Sequence, residues 1–167
     1  MTVRRNERSA APRISELTQK SNQFNVTTRR YTVAEIGALM DAGDADVFSI
    51  HVADRFGESG LTGVAIVRYD GAQAAAIDAF LLSCRVLGRG VEASVWAPIL
   101  DAAREHGCAT LLTTYLPTPK NAQVHDLWDR LGLALVEDDA SGARTYRADL
   151  ATLVIPPPPY IEVVHAV

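Results

Sequence analysis

The sequence lacks any apolar run long enough to cross a bilayer, because its longest such runs have only the length of a β-strand. A membrane-spanning helix needs about 20 predominantly apolar residues in succession. The opening segment Met1-Thr-Val-Arg-Arg is not followed by the apolar stretch of a secretion signal. We therefore expect a cytoplasmic protein that does not enter the membrane.

The sequence also contains few cysteines and histidines, and it carries no excess of positive charge. The two cysteines, Cys84 and Cys108, stand in apolar segments, which indicates reduced thiols rather than a disulfide framework. The 16 Lys and Arg residues are outnumbered by 20 Asp and Glu residues, and the net charge of −4 argues against a nucleic-acid partner. No metal is expected, because the histidines show no ligand spacing with either cysteine. These histidines are His51, His106, His125 and His165.

The composition predicts one globular domain, since 167 residues, 48% of them hydrophobic, can bury a substantial core. Residues 1–12 are charged, polar and Ala/Pro-bearing, and they are predicted to be a flexible lead-in. Residues 13–150 are predicted to form the domain itself. The tail, residues 151–167, contains four consecutive prolines and is predicted to lie across the surface or onto a partner.

Hydrophobic periodicity and breaker residues divide the domain into helices and strands. The box Thr32-Val-Ala-Glu35 predicts the start of a short helix that stops at Gly43. Pro98 predicts a kink in a helix over 90–107, because it cannot donate a hydrogen bond to the Ser94 carbonyl. The other predicted helices cover 14–24 and 122–131, and the predicted strands cover 46–52, 61–69, 74–86, 108–115, 133–137 and 143–148.

The centre of this pattern is Leu81-Leu-Ser-Cys-Arg-Val-Leu-Gly-Arg-Gly-Val91, where a predicted strand runs through glycines into a helix. Gly88 and Gly90 allow the backbone to approach a bound group closely, and Arg85 and Arg89 add positive charge. Backbone N–H groups at such a corner are suited to an anion. The alternative is a tight strand-to-helix connection without a ligand.

The order of elements, together with Arg85-x-x-Gly88-x-Gly90, resembles the GNAT acyltransferase superfamily and its motif Q/R-x-x-G-x-G/A. The resemblance implies an α/β (α+β) fold with a mixed, mostly antiparallel sheet and helices on both faces. It also implies that the corner binds the pyrophosphate of coenzyme A or the 4'-phosphopantetheine of an acyl carrier protein. The preceding strand should splay from its neighbour to admit the thioester arm. The cofactor-binding residues that the resemblance implies are Arg85, Val86, Gly88, Arg89, Gly90 and Asn121.

Four blocks of the sequence, residues 12–32, 54–57, 80–92 and 117–121, together resemble the C-terminal part of FkbH-like proteins. The resemblance implies polyketide biosynthesis, in which these proteins load a glyceryl unit from a bisphosphoglycerate onto an acyl carrier protein. Their phosphatase half is missing here, since the sequence has no Asp-x-Asp-x-Thr motif. Three alternatives remain for that half: it is a separate protein, it is a region that has been trimmed away, or this version does without it. Leu127-Trp128 stands where many GNAT enzymes place a tyrosine as general acid, so that role is unassigned.

Three residues are candidates for the chemistry. Cys84 directly precedes Arg85, whose charge should favour the thiolate, and this predicts a covalent acyl-Cys84 intermediate. A free cysteine in an apolar strand can also be a core residue. Asp78, on the same face as Cys84 if the strand is unbroken, is either a general base or a partner for an arginine. His51 is either a proton acceptor or a hydrogen-bonded strand histidine.

The run Gln19-Lys-Ser-Asn-Gln-Phe-Asn25 is unusually rich in amides. Amide side chains can hydrogen-bond hydroxyl or carboxylate groups without adding charge, so acceptor specificity is predicted to lie here. The alternative is the surface end of a helix. The substrate-binding candidates are Gln19, Asn22, Gln23 and Asn25.

Two functional classes follow from these observations. The first is an acyltransferase that moves an acyl or glyceryl group to or from a phosphopantetheine thioester of an acyl carrier protein or coenzyme A. The second is a non-catalytic module that docks a carrier protein or completes a partner enzyme, such as a separate phosphatase-type protein. A small-molecule N-acetyltransferase is a third possibility within the enzyme class.

Overall fold

The computed structural model describes residues 1–71 and 73–166. Within these residues the backbone forms eight strands, five α-helices and three 3-10 turns. The strands are β1 Thr2–Arg5, β2 Ala45–Asp54, β3 Gly57–Tyr69, β4 Ala74–Leu82, β5 Thr110–Tyr115, β6 Ala134–Asp138, β7 Arg144–Asp149 and β8 Val164–Ala166. The helices are α1 Ala11–Lys20, α2 Val33–Asp41, α3 Val91–Ser94, α4 Trp96–Glu105 and α5 Leu127–Arg130. The 3-10 turns cover Arg8–Ala10, Cys84–Val86 and Ala122–Val124.

All eight strands form one sheet in the order β6-β7-β5-β4-β3-β2-β1-β8. Neighbouring strands are antiparallel except for the parallel pairs β4–β5 and β1–β8. One face packs against α1 and α2 through a cluster that includes Ile14, Ile36 and Leu81. The opposite face carries the larger core, in which the rings of Trp96 and Trp128 pack with centroids 5.2 Å apart. The predicted mixed, mostly antiparallel α+β fold with helices on both faces is confirmed.

Both ends of the chain belong to the sheet, which corrects the predicted lead-in and tail. Residues 1–12 form β1, a 3-10 turn and the start of α1, and Val3 is fully buried. In the tail, β8 pairs with β1, and the amino group of Met1 donates to the Glu162 carbonyl at 2.7 Å. Position 167, the last residue of the predicted tail, lies outside the described residues. The sequence pattern missed β1 because four residues are too few to show a clear alternation.

The strand predicted over 74–86 stops early. β4 ends at Leu82, and Cys84 lies in the 3-10 turn that follows. Cys84 therefore does not continue the side-chain alternation of β4. The prediction that it shares a strand face with Asp78 is wrong.

The predicted helices are shorter or interrupted. The helix predicted over 90–107 breaks at Val95, so α3 has only four residues. Pro98 accounts for the break, because it has no N–H to donate to the Ser94 carbonyl. The helix predicted over 14–24 is α1, which ends at Lys20, and the helix predicted over 122–131 is a 3-10 turn followed by α5.

Candidate functional site

β4 and β5 part towards their carboxyl ends, and the parting begins at a β-bulge. The two strands pair in parallel only as far as Ile77 and Thr113. On the other side of β4, the ladder with β3 shifts register between Ile66 and Val67, which leaves Asp78 as the extra residue. A bulge bends its strand and interrupts regular pairing. The opening between β4 and β5 is the place where the family resemblance implies a thioester arm.

The chain fills this opening with its own residues 24–27, called the strap below. All four strap residues are buried, and Asn25 forms an isolated antiparallel bridge with Leu81. Main-chain atoms therefore close the opening that the resemblance implies for a ligand. The bonds run from Val26 N to Phe80 O at 3.1 Å, from Leu82 N to Phe24 O at 3.0 Å and from Leu116 N to Val26 O at 2.9 Å.

Asn121 anchors the strap. Its side chain is fully buried, and its Nδ2 donates to the carbonyls of Asn25 and Leu116, both at 2.9 Å. Its Oδ1 accepts from the Thr118 N–H at 2.7 Å. Asn121 stands before the 3-10 turn Ala122–Val124 but makes no side-chain cap bond there. Its polar atoms are committed to the strap and the loop after β5, which leaves the predicted pantetheine contact without support.

Asp78 holds the segment that follows the strap. Its buried carboxylate accepts hydrogen bonds from Arg29, from Tyr31 and from Arg68 Nε, the last at 3.1 Å. Its backbone carbonyl accepts from the Thr27 hydroxyl at 2.9 Å. Both carboxylate oxygens therefore have donors, and the geometry supports arginine pairing rather than the alternative of a general base.

Burial, followed by the hydrogen bond to Asp78, raises the pKa of Tyr31 from 10.0 to about 12. The folded state holds this proton more tightly than the unfolded chain, so the stabilisation is complete below pH 10 and is lost as the pH rises through about 12. From about pH 8 to about pH 12, we expect the free energy of unfolding to fall by roughly 2–3 kcal/mol less in Tyr31→Phe than in the unchanged protein. Urea unfolding from about pH 8 to about pH 12 measures it. Tyr160→Phe, at an exposed position, is the control, and equal slopes in both variants would contradict the expectation.

A groove of about 740 Å³ opens beside the strap at the carboxyl end of β4. Four predicted site residues line it, namely Asn22, Gln23, Cys84 and Arg85. The Cys84 thiol is exposed, so the alternative of a core cysteine is wrong for it, whereas Cys108 is buried in the core. The other lining residues are Arg13, Leu17, Lys20, Ser21, Phe24, Leu82, Ser83, Leu87, Pro119 and Lys120.

The groove is electropositive, because among the described residues its lining includes four cationic side chains and no carboxylate. Arg13 and Lys20 both pair with Glu16 on the surface of α1. Arg85 Nε donates to the Ser83 hydroxyl at 3.3 Å. Neither Arg85 nor Lys120 has a carboxylate partner in the described part of the chain. Two such cations beside an exposed thiol suit an anionic ligand.

A glycine-rich turn, residues 87–90, connects the end of the groove to α3. Its φ is +72° at Gly88 and +80° at Gly90, values that a residue with a side chain rarely adopts. Across residues 1–71 and 73–166, no backbone carbonyl accepts a hydrogen bond from the four N–H groups of this turn. The turn lies between the groove, which Leu87 lines, and a second cavity, which Gly88 and Arg89 line, and α3 is too short to add much dipole.

The tail packs directly on Gly90. A Cβ at this position would stand 2.9 Å from Pro158 Cγ and from Tyr160 Oη, whereas a Cβ at Gly88 would meet nothing within 4 Å. We expect Gly90→Ala to destabilise the fold by roughly 2–3 kcal/mol, because it adds a clash to the strain of a positive φ. Gly88→Ala is the control and should cost only the dihedral part, ~1–2 kcal/mol. Urea unfolding measures both variants, and equal losses would mean that the tail moves aside.

Val86 and Arg89, two further predicted cofactor residues, do not line the groove. The Val86 side chain lies in the core, and its N–H donates to the Ser83 carbonyl at 3.1 Å. Arg89 pairs with Asp54 and lines a second cavity of about 540 Å³ on the tail side of the turn. Neither residue therefore supports a contact with a ligand in the groove.

His51 lies on β2, away from the groove. Its Nε2 is 2.9 Å from a carboxylate oxygen of Glu7 and 3.2 Å from the Ser49 hydroxyl. Burial alone would raise the pKa of Glu7, but hydrogen bonds from Ser49, Arg4 and His51 bring it below its ordinary value. The position favours a hydrogen-bonded strand histidine over a proton acceptor for the groove.

The amide-rich run separates into two groups. Gln19 donates to the Tyr31 carbonyl at 3.3 Å, and Asn25 bonds within its own loop, so neither faces the groove. Asn22 and Gln23 line the groove, and the Asn22 side-chain oxygen accepts from Arg30. Only the second group is placed to contact a substrate.

Sequence reasoning missed three cations of the groove. Arg13 and Lys20 are seven residues apart in α1, so they share one helix face, and that spacing was a usable signal. Lys120 belongs to the Pro117-Thr-Pro-Lys-Asn121 block, where only the asparagine was considered. The strap had no such signal, because its conformation depends on β4 and β5.

Several solved structures share this fold. The protein yncA of Salmonella typhimurium, solved with its cofactor acetyl-CoA, is 15% identical with a TM-score of 0.62, over 89% of this chain and 92% of that one. Rv2747 of Mycobacterium tuberculosis, in complex with CoA, is 12% identical with a TM-score of 0.67, over 88% and 98% of the two chains. A chimera of spermidine N-acetyltransferase SpeG from Vibrio cholerae and hSSAT is 13% identical with a TM-score of 0.64, over 92% and 99%.

These likenesses establish a GNAT fold for the chain. At such low identity they concern the fold alone. No protein-family model matches the sequence, and no curated protein matches it either.

The described ranges contain neither a candidate metal centre nor a membrane-spanning helix. No group of three or more His, Cys, Asp or Glu side chains among residues 1–71 and 73–166 could hold a metal ion. In the same part of the chain, every helix is too short or too polar to cross a membrane.

Proposed function

We propose that this protein is an acyltransferase that moves an acyl group to or from a phosphopantetheine thioester bound in the groove. The observation that carries the proposal is the exposed Cys84 thiol, set with Arg85 and Lys120 in a groove without carboxylates. Leu87 belongs both to the groove and to the glycine-rich turn, whereas Gly88 and Arg89 of that turn line the second cavity. Backbone N–H groups and arginine together are well suited to a phosphate.

The reaction assigned to Cys84 is thioester exchange. The thiolate sulfur attacks the acyl carbonyl carbon, a new C–S bond forms, the bond to the pantetheine sulfur breaks, and that sulfur leaves as a thiolate. An acceptor thiolate then takes the acyl group by the same exchange, so protons and charge balance. The exchange needs no strong base, because a thiol ionises far more readily than a hydroxyl. This agrees with a groove lined by neither carboxylate nor histidine.

The charge of the groove favours an anionic or hydroxylated acyl group over a cationic amine acceptor. Arg85 and Lys120, which have no carboxylate partner among the described residues, would repel a protonated amine while attracting a phosphate or a carboxylate. Asn22 and Gln23 can hydrogen-bond hydroxyl groups. A glyceryl group held as a thioester carries hydroxyls but no charge, so it suits these two amides, whereas the cations suit the phosphate of the arm.

The polyketide context is a finer part of the same proposal. We expect the thioester arm to belong to an acyl carrier protein and a separate phosphatase-type protein to act in the preceding step. The support is that every residue lining the groove falls in three of the blocks that resemble FkbH-like proteins. These blocks are 12–32, 80–92 and 117–121.

Intact-protein mass spectrometry tests the proposal. Incubation with an acyl-CoA, or with a carrier protein acylated on its phosphopantetheine, should add the acyl mass to this chain and then to a second carrier protein. The double variant Arg85→Ala/Lys120→Ala should slow this transfer about 10- to 100-fold, because it removes the charged donors for the phosphate. Arg147→Ala, which changes a cation of β7 outside the groove, is the control and should leave the rate unchanged.

Two other outcomes would favour the alternatives. Acylation of a small amine, with no acyl mass on any carrier protein, would indicate a small-molecule N-acetyltransferase. Binding of a carrier protein without acyl mass on any component would indicate a docking module. Either result would overturn the thioester-exchange proposal.

A further inference from the structure

We infer that the thioester arm does not enter the opening between β4 and β5, because the strap already occupies it, and that the arm lies along the groove instead. The inference rests on the proposed function, since it states where that substrate binds. It departs from the family resemblance, which implies that the splayed strands themselves admit the arm.

The strap already uses the edges of both strands. An extended arm between the strands would need their free backbone donors and acceptors. The Phe80 carbonyl and the N–H groups of Leu82 and Leu116 already bond to the strap, at 2.9 to 3.1 Å. The amides of an incoming arm could only replace these bonds, so entry would gain no hydrogen bond.

The side chains of the strap anchor it in place. The Asn25 side chain donates to the Ser21 carbonyl at 3.1 Å and accepts from the Thr28 N–H at 2.8 Å. Phe24 belongs to the main core and packs edge-on against Phe80, with ring centroids 5.6 Å apart. Leaving the opening would expose this aromatic ring and break all these bonds together. Exchange of the strap for an arm is therefore unfavourable.

The groove supplies a different route that ends at the thiol. Leu87 joins the glycine-rich turn to the groove, and Leu82 and Phe24 offer apolar contacts for the alkyl parts of an arm. Cys84 lines the same groove. The chain thus fits one part of coenzyme A and not another: the turn and Arg85 suit its phosphates, whereas the filled opening does not suit its arm.

Amide hydrogen exchange, followed by NMR with saturating 4'-phosphopantetheine or coenzyme A, tests the inference. We expect resonances of residues 83–90 to shift while the amides of Val26, Leu82 and Leu116 keep their slow exchange. The Tyr69 amide, which donates to the Asp44 carbonyl at 2.8 Å, is the remote reference. Exchange at Val26 that becomes about 100-fold faster with ligand would overturn the inference and leave the proposed function standing. The absence of any shift with either probe would overturn both.

Two variants locate the arm independently. Lys120 lines the groove, whereas Thr113 lies where the β4–β5 pairing ends, with a buried hydroxyl that has no hydrogen-bond partner among the described residues. Lys120→Ala should weaken 4'-phosphopantetheine binding about tenfold, and Thr113→Val should leave it unchanged. A tenfold loss in Thr113→Val, with none in Lys120→Ala, would place the arm between the strands.

Discussion

Replacing Cys84 by alanine is expected to abolish the acyl mass on this protein and to slow acyl transfer at least ~10³-fold. The reason is that the other nucleophiles of the groove, the hydroxyls of Ser21 and Ser83, need a base, and no carboxylate or histidine lines the groove. The adduct is measured by intact-protein mass spectrometry. The rate is measured in a single turnover with an acylated carrier protein, so that product release does not mask the chemical step.

Cys108→Ala is the matched control. This thiol is buried in the core, and its pKa is raised first by burial and then by the charge of Asp70, so it has little thiolate to offer. We expect full transfer activity and the adduct to persist in this variant. An acyl adduct that survives Cys84→Ala would contradict the covalent role of Cys84. Full transfer without an adduct in either variant would point instead to direct attack by the acceptor.

The parts of the fold that were predictable from the sequence depend on local signals. Thr32 and Glu35 form a complete capping box, and the helix after them begins where the pattern predicts. β1 and β8 lacked such a signal, because each is only three or four residues long and is set by a partner far along the chain. Thr2, for example, pairs with His51 on one side and Val164 on the other.

The site was predictable only in part, for a related reason. The glycine-rich turn and Cys84 follow from residue types and spacing. The bulge at Asp78 leaves no trace in the alternation of side chains, so its face and its partners could not be predicted. The strap is extended because the edges of β4 and β5 impose that conformation, whereas the same residues in isolation resemble the end of a helix.

The largest stability loss is expected for Asp78→Ala, about 3–5 kcal/mol at neutral pH. The Asp78 side chain is 5% exposed, and it is the common acceptor for Arg29, Arg68 and Tyr31. Its loss leaves the buried Tyr31 hydroxyl without its acceptor and places two arginines together without a counter-charge. Both arginine side chains are about half exposed, so water limits their part of the penalty and places the loss near the lower end.

Thermal unfolding, followed by circular dichroism, measures this loss as a fall of about 2–4 °C in Tm for each kcal/mol. Asp101→Ala is the matched control, because Asp101 is 63% exposed and pairs only with Arg104 of the same helix, so its loss should stay below about 1 kcal/mol. We also expect Asp78→Ala to speed exchange at the Val26 amide more than at Tyr69, since the carboxylate fixes the chain that follows the strap. Equal Tm values for the two variants would mean that the strap is held by its main-chain bonds and Asn121 alone.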